Sequence, residues 1–378
     1  MAKPEAFDVI VVGAGIAGAA LAYELSASAR VVVVERESQP GYHSTGRSAA
    51  LFSQTYGNAA MRALARASRD FYVTPPPGFC STPILSPRGA LFVGTRAQRE
   101  ALQRHHDEAA REAVVEQWSG AQVRARVPLF DAEQVEGAVW EADALDIDVH
   151  ALHQGYLRGL KPRRGELRCN TDVTALERSA GAWSVQTSQG ELRAPWLINA
   201  AGAWADVVAA LAGATPLGLQ ALRRTVITVD SPLGRASDEW PAVIDVDEQY
   251  YFKPDVGRLL LSPADETPSP PCDAQPDEYD VALLVDRIEH ATQLRVARIH
   301  SRWAGLRSFF PDRTLTAGVD PACPGFFWLA GQGGYGIQTA SAAARLSAAL
   351  LLDRPLPQEL IDHGVDAAWY APHRLCSH

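Results

Sequence analysis

A chain of 378 residues is too long for one ordinary core and points to two domains, and 47% apolar with 21% charged residues excludes a disordered chain. A net charge of −9 without a basic run makes nucleic acid and anionic membrane poor partners. Cys80, Cys169, Cys272, Cys323 and Cys376 form no CxxC pair, which argues against a zinc site or disulfide frame, and the start MAKPEAF reads as neither signal peptide nor membrane span; a cytoplasmic protein with no metal and no integral membrane segment is expected.

Taken in chain order, DVIVVGAG (8–15) is a continuous apolar run suited to a strand buried on both faces. IAGAALAYELSAS (16–28) has helical spacing, and RVVVVER (30–36) is a second buried strand, so the start reads as a parallel βαβ unit with a right-handed crossover. GYHSTGRSAALFSQTYG (41–57) has the composition of a solvated loop but holds Arg47 and an apolar AALF. Residues 58–73 look helical and stop at Pro75-Pro76-Pro77, residues 82–94 read as short strands with a turn, and 96–117 as a charged amphipathic helix. A helix over 148–160 leads into strands at 166–178 and 183–187, and residues 194–213 repeat strand, glycine turn and helix. From 217 to 261 the pattern alternates as in an antiparallel sheet, 262–280 is a Pro-rich loop, and the chain closes with a strand at 325–332, a glycine turn and a helix near 336–352. The fold class is α/β: a discontinuous Rossmann-like nucleotide-binding domain (1–81, 147–213 and 310–378) with an inserted α+β substrate domain (82–146 and 214–309) containing an antiparallel sheet.

Gly13-x-Gly15-x-x-Gly18 lies between the first strand and helix, and Glu35 ends the next strand. Gly13 permits a tight turn, Gly15 lets the backbone approach a pyrophosphate, Gly18 allows close helix–strand packing, and Glu35 suits ribose hydroxyls. A second cluster, Gly331-Gln332-Gly333-Gly334-Tyr335-Gly336, again precedes a helix whose N-terminus could face an electron-rich ring. No H-E-x-x-H, G-x-S-x-G or P-loop pattern is present, which leaves metal hydrolysis, serine hydrolysis and phosphoryl transfer without support. Of the histidines, His105 and His106 sit in the charged helix and are expected to be solvated, while His153 is expected to pack or cap and His150 has no evident role.

GAGIAG, ERESQPGYHSTGRSAA, HQGYLRG, NAAGAW, WAGLRSF and GQGGYGIQT together resemble the D-amino-acid oxidase family of FAD-dependent oxidoreductases, within it most closely the D-arginine dehydrogenases, over nearly the whole chain. The resemblance implies non-covalent FAD, held by Gly13, Gly15, Ile16, Ala17, Gly18, Glu35, Arg36, Ser44, Thr45, Ser48, Ala49, Ala50, Val173, Gly202, Trp204, Gly305, Gly333, Gly334, Tyr335, Gly336, Ile337 and Gln338. Relatives that bind FAD covalently use a cysteine within the segment matching WAGLRSFFPD (303–312), which has none here.

The resemblance also places Arg224, Arg307, Tyr251 and Tyr56 on a substrate carboxylate and the Gly334 carbonyl on its amine. The reaction implied is oxidation of an amino acid, with hydride transfer from Cα to flavin N5, to an imino acid that hydrolyses to a 2-oxo acid and ammonia. By themselves these residues are ambiguous, since an arginine is mostly a surface residue and a strand tyrosine mostly packing. D-Arginine dehydrogenases carry a glutamate at the position of Ala90 and a histidine at that of Leu51. The implied pocket, lined by Leu51, Ser53, Ala90, Ala242 and Ile244, therefore suits a neutral or hydrophobic D-amino acid, because an unpaired guanidinium is costly to bury; strand alternation turns Asp245 to the other face. D-Arginine or D-lysine, glycine, N-substituted amino acids and 2-hydroxy acids remain alternatives. The chemistry leaves dehydrogenase and oxidase both open, and a monomer is expected, with a quinone, dye or electron-transfer protein rather than NAD as electron acceptor.

Overall fold

The computed structural model describes residues 4–376, so the outermost residues of the first and last predicted nucleotide-domain segments, 1–3 and 377–378, lie outside the described residues. A six-stranded sheet carries the glycine fingerprint. Its strands run in the order Gly165–Arg168, Val31–Val34, Val9–Val12, Trp196–Asn199, Phe326–Ala330 and Thr316–Val319, parallel except for the last pair. Alternation sorts its side chains. Val9, Val11, Val31 and Val33 pack towards a helical layer that includes Ile16–Leu25, Ala59–Val73 and Gly336–Leu351, whereas Ile10, Val12, Val32 and Val34 pack against Trp183, Val185 and Leu192 of a four-stranded sheet on the opposite face. Both faces are covered, which is why these strands read as unbroken apolar runs.

The second large sheet has nine strands and is mostly antiparallel. Gln220–Asp230 pairs with Ile299–Phe309 and Arg258–Ser262, and the order continues through Tyr251–Asp255, Ala242–Asp245, Ala90–Gly94, Gly137–Glu141 and Glu116–Ser119. Directly paired residues share a face. Arg307 lies opposite Leu222, two residues from Arg224, and the chain of pairs Tyr251–Ile244–Phe92–Val139 keeps Tyr251, Ile244 and, two residues beyond Val139, Glu141 on one face. The other face buries Leu91, Val243, Phe252, Leu261 and Ile227 together with Val123 and Leu284 of the helices Gly120–Arg126 and Glu278–Ala291. One face is therefore core, and the other is free to build a site.

Four local expectations change. The helix expected over 96–117 is a short 3-10 turn, Arg96–Gln98, followed by Arg99–Ala109, and Glu116–Ser119 is an edge strand whose Trp118 stacks on Trp140 at 4.9 Å; the cross-strand aromatic contact is available only in the folded sheet. The strand expected at 166–178 breaks near Asn170, where φ is +51°, into Gly165–Arg168 and Val173–Ser179, which enter different sheets. Within 217–261, Ala242–Asp245 pairs in parallel with Ala90–Gly94. The helix Glu278–Ala291, capped by the Asp277 side chain, follows a segment read only as loop. Among the described residues no helix is long and apolar enough to cross a membrane.

Candidate active site

A cleft of about 280 Å³ runs from the fingerprint to the free face of the nine-stranded sheet. At its first end Gly13 has φ +101°, and a Cβ there would stand 2.5 Å from the Ala200 carbonyl oxygen; a Cβ on Gly18 would stand 2.0 Å from the Gly13 oxygen. Only glycine allows this turn. The Ala14 N–H donates to Glu35 Oε2 at 2.9 Å and the Ile16 N–H to Thr45 Oγ1 at 3.0 Å, so the helix N-terminus, the acid and the 41–57 segment are tied together. Glu35 Oε1 accepts from the Glu37 N–H at 3.0 Å, leaving lone pairs for further donors. Arg36 lies over the Trp204 ring at 4.2 Å, and His43 packs on the same ring at 4.7 Å.

The same cleft is lined by Ala17, Ser44, Ser48, Ala49, Val173, Gly202, Gly305, Gly333, Gly334, Gly336 and Ile337. A Cβ on Gly202 would meet nothing within 4 Å, so its backbone faces open space. The His43 Nδ1 in the cleft wall is buried without a partner. Glycine backbone, a helix N-terminus, an acid at a strand end and an unspent polar atom fit a dinucleotide.

At the other end stand the two arginines. Arg224 is 6% exposed; its Nε donates to the Asp265 carbonyl at 2.8 Å and its Nη2 reaches Glu266 at 3.3 Å, an acid that Arg313 holds more closely at 2.6 and 3.0 Å. Arg307 donates from Nη1 to Tyr56 Oη at 3.2 Å, and among the described residues it makes no ion pair. Burial and then the charge of Arg307 lower the pKa of Arg224, whereas the burial of Arg307 is outweighed by the phenols of Tyr56 and Tyr251, which raise its pKa. Tyr251 Oη is buried without a partner. A Cβ on Gly334 would stand 2.9 Å from Arg307 Nη1 and 3.1 Å from Tyr56 Oη, so the glycine lets the backbone approach both groups. Two guanidiniums and the Tyr251 phenol line one space, with the Tyr56 hydroxyl bonded to Arg307 at its edge, and such a set suits a carboxylate, which accepts paired hydrogen bonds from arginine.

Beyond Tyr56 lies a second cavity of about 260 Å³, walled by Thr55, Tyr56, Phe92, His105, Ile244 and Tyr335, with Glu108, Asp245 and Glu248 around it. Arg62 also borders it but is held by Glu112 at 2.6 and 3.1 Å. His105 is not solvated as expected: its ring packs on Phe92 at 4.1 Å, its Nε2 is buried without a partner, and burial lowers its pKa. The helix turns this one histidine inward.

Leu51, Ala90 and Ala242 line neither space. Ala90 is fully buried with Phe92, Val139 and Ala144, with Leu51 and Ile244 packed against them, because short side chains on this face are covered by their neighbours. Gly18, Ala50, Tyr335 and Gln338 stand outside the first cleft: the Ala50 carbonyl accepts from Lys253 Nζ at 3.1 Å, Tyr335 packs on Tyr56 at 4.8 Å, and Gln338 Oε1 accepts from the Ser53 N–H at 3.1 Å. His153 is buried, with its Nε2 2.9 Å from the Ala14 carbonyl beneath the fingerprint.

A sequence model of the family DAO, described as FAD dependent oxidoreductase, matches residues 8–350. The chain belongs to the DAO family. Among curated DAO-family relatives, glycine oxidase of Pseudomonas aeruginosa is 28% identical over 96% of this chain and 98% of its own length. Mitochondrial dimethylglycine dehydrogenase of Mus musculus is 23% identical over 94% of this chain, which spans 43% of that longer protein. Glycine oxidase from Geobacillus kaustophilus superposes with a TM-score of 0.84 at 21% identity, covering 99% of both chains, and L-proline dehydrogenase from P. horikoshii with 0.82 at 21% identity, covering 98% of both. The protein is thus a FAD-dependent oxidoreductase of the DAO family, and the residues that line the cleft fit a dinucleotide. Sequence reasoning gave no role to two residues of the cleft wall, Arg47, which only looked out of place in a loop, and His43.

Proposed function

We propose that the protein oxidises the C–N bond of a neutral D-amino acid, giving an imino acid that water converts to a 2-oxo acid and ammonia. The observation that carries this is the pair Arg224 and Arg307, under-neutralised, at the end of the cleft that begins at the fingerprint. When bound, FAD supplies the two-electron oxidant. The chain's own residues grip and aim: the guanidiniums take the carboxylate, Tyr251 and Tyr56 add hydroxyls, and the Gly334 carbonyl is offered to the amine. Holding both ends fixes Cα, and positioning is the protein's main contribution to such a reaction. Loss of a proton from the ammonium needs no strong base, and the carboxylate 3.3 Å from Arg224, that of Glu266, is already held by Arg313. The names of relatives, glycine oxidase and dimethylglycine dehydrogenase, fit oxidation next to an amine nitrogen and keep glycine and N-methylated substrates in view.

The neutral side chain is supported by the cleft itself, whose acids Glu35 and Asp172 belong to its fingerprint half. A second reading, a basic D-amino acid, is favoured by Glu108, Asp245 and Glu248 around the outer cavity. Glu108 and Glu248 are exposed and so weakly attractive, and Asp245 already accepts from Gln98 Nε2 at 3.0 Å and the Asp247 N–H at 3.0 Å. Anaerobic mixing of the flavoprotein with D- and L-leucine, phenylalanine and arginine, glycine and N-methylglycine separates these readings by flavin bleaching. Faster bleaching by D-leucine and D-phenylalanine is expected; faster bleaching by D-arginine selects the second reading, and bleaching by none of them refutes both. Arg307→Ala should lower kcat/KM by roughly 100-fold or more, the loss of a bidentate charged contact.

A further inference from the structure

Glu141, at the end of the strand Gly137–Glu141, is 1% exposed. Among the described residues no lysine, arginine or histidine pairs with it. Its Oε2 accepts from Ser53 Oγ at 2.7 Å and Thr55 Oγ1 at 2.8 Å, and its Oε1 from the Gln54 N–H at 2.9 Å. A carboxylate buried without a counter-charge is unfavourable, and an apolar residue there would serve packing better. What it gains is control of the segment opposite. The strand Leu51–Phe52 is two residues long, and beyond it no sheet ladder continues. The next three amides are satisfied by side chains: Ser53 N–H by Gln338 Oε1 at 3.1 Å, Gln54 N–H by Glu141, and Thr55 N–H by Ser53 Oγ at 3.3 Å, itself bound to Glu141. The next residue is Tyr56, whose hydroxyl meets Arg307 at 3.2 Å. Glu141 stands in for the missing strand partner. Ala90, directly opposite on the neighbouring strand and fully buried, keeps the space around the carboxylate free.

We propose that Glu141 is a positioning residue that fixes the Ser53–Tyr56 segment so that Tyr56 and Arg307 hold one carboxylate between them. This rests on the clamp assigned above to Arg224 and Arg307, and its signature is affinity for carboxylates without loss of the flavin.

The test uses the FAD-loaded enzyme and propionate, a carboxylate with no nitrogen to oxidise, titrated by its perturbation of flavin absorbance. Glu141→Gln keeps the shape but places an NH2 where an acceptor is needed. It should retain full flavin content and weaken propionate about tenfold, the worth of one misplaced hydrogen bond. Tyr56→Phe should weaken propionate comparably, and the double variant should be no weaker than the worse single one, because both changes remove the same contact. With the amino-acid substrate, Glu141→Gln should raise KM more than it lowers kcat. A purely structural role would lower the melting temperature and leave propionate binding unchanged. Wild-type affinity in Glu141→Gln, or losses that add in the double variant, overturns the proposal. If Glu141→Gln does not fold, Thr55→Val, which removes one donor isosterically, takes its place with a smaller loss expected, and unchanged affinity there overturns it equally. Arg307→Ala reports separately on the clamp: if that variant binds propionate like the wild type, the failure lies in the functional reading itself.

Discussion

Ala90 and Glu141 stand opposite each other on neighbouring antiparallel strands, on the face that carries the arginines. Side chains so paired have Cβ atoms roughly 5 Å apart. Burial already raises the pKa of Glu141, against the hydrogen bonds of Ser53 and Thr55 that favour its charged form. Ala90→Glu should therefore not simply add an acid to a substrate pocket. It should set a second carboxylate against the first in a dry site and lower stability by about 3 kcal/mol or more at neutral pH, measured by urea denaturation. The sign with pH follows from the repulsion: protonating either carboxyl relieves it, so the deficit should shrink as pH falls. A deficit that grows on acidification would count against the pairing. These residues also show where single-residue reading stops. Leu51, Ser53 and Ala90 were placed on the pocket because of their positions in family-like motifs, yet Ser53 is spent on a glutamate 88 residues away. Side-chain identity shows chemistry, but the partner that uses it is chosen by strand register.

At the scale of elements, what the sequence made readable is what local spacing determines. Gly18 has its role because its Cβ would strike the Gly13 oxygen of the same turn, and Gly13 and Gly15 have theirs because the Ala200 backbone and the Thr45 side chain press against the turn from elsewhere in the chain; the valine runs read as they do because both faces of one sheet are covered. The edge strand Glu116–Ser119 and the inward turn of His105 depend on Trp140 and Phe92, which local periodicity does not report. His153 joins the two kinds. It was expected to pack, and it does so under the fingerprint, with its ring 2.8 Å from where a Cβ on Gly41 would lie and its Nε2 bonded to the Ala14 carbonyl. Burial lowers its pKa, partly opposed by that bond. A histidine held below its unfolded value contributes stability that is present above about pH 6.5 and lost as pH falls through the folded value. The holoenzyme should therefore melt several degrees lower at about pH 5.5 than at about pH 7.5. His153→Gln, which keeps a donor for Ala14 but cannot take up the proton, should show a shallower decline; His105, also lowered by burial, leaves part of it in place. Parallel pH profiles for the two proteins would remove His153 as a cause.

At the scale of the molecule, the cleft exists because one segment joins the two large sheets. Thr45 bonds the fingerprint helix, Ser44 Oγ donates to the Leu306 carbonyl at 2.6 Å, and the Arg47 carbonyl accepts from Trp303 Nε1 at 3.1 Å. Arg47 goes further, donating from Nη1 to the carbonyls of Ala274 at 2.8 Å and Ala304 at 2.9 Å and pairing through Nη2 with Asp273. This accounts for an arginine in a stretch that otherwise reads as loop: it ties the Pro-rich segment and the Ile299–Phe309 strand to the wall of the cleft proposed to hold FAD. Two kinds of contact could matter, and exposure decides between them. The Asp273 side chain is 49% exposed, so its ion pair is screened and weak, whereas Arg47 is 14% exposed and serves two carbonyls that its removal would leave without that donor. Arg47→Met should therefore weaken FAD binding by roughly 10- to 100-fold while the apoprotein stays folded, and Asp273→Asn should change it less than about threefold. Flavin fluorescence released on dilution gives both affinities. Equal losses in the two variants would mean that the ion pair, and not the carbonyl contacts, closes the cleft.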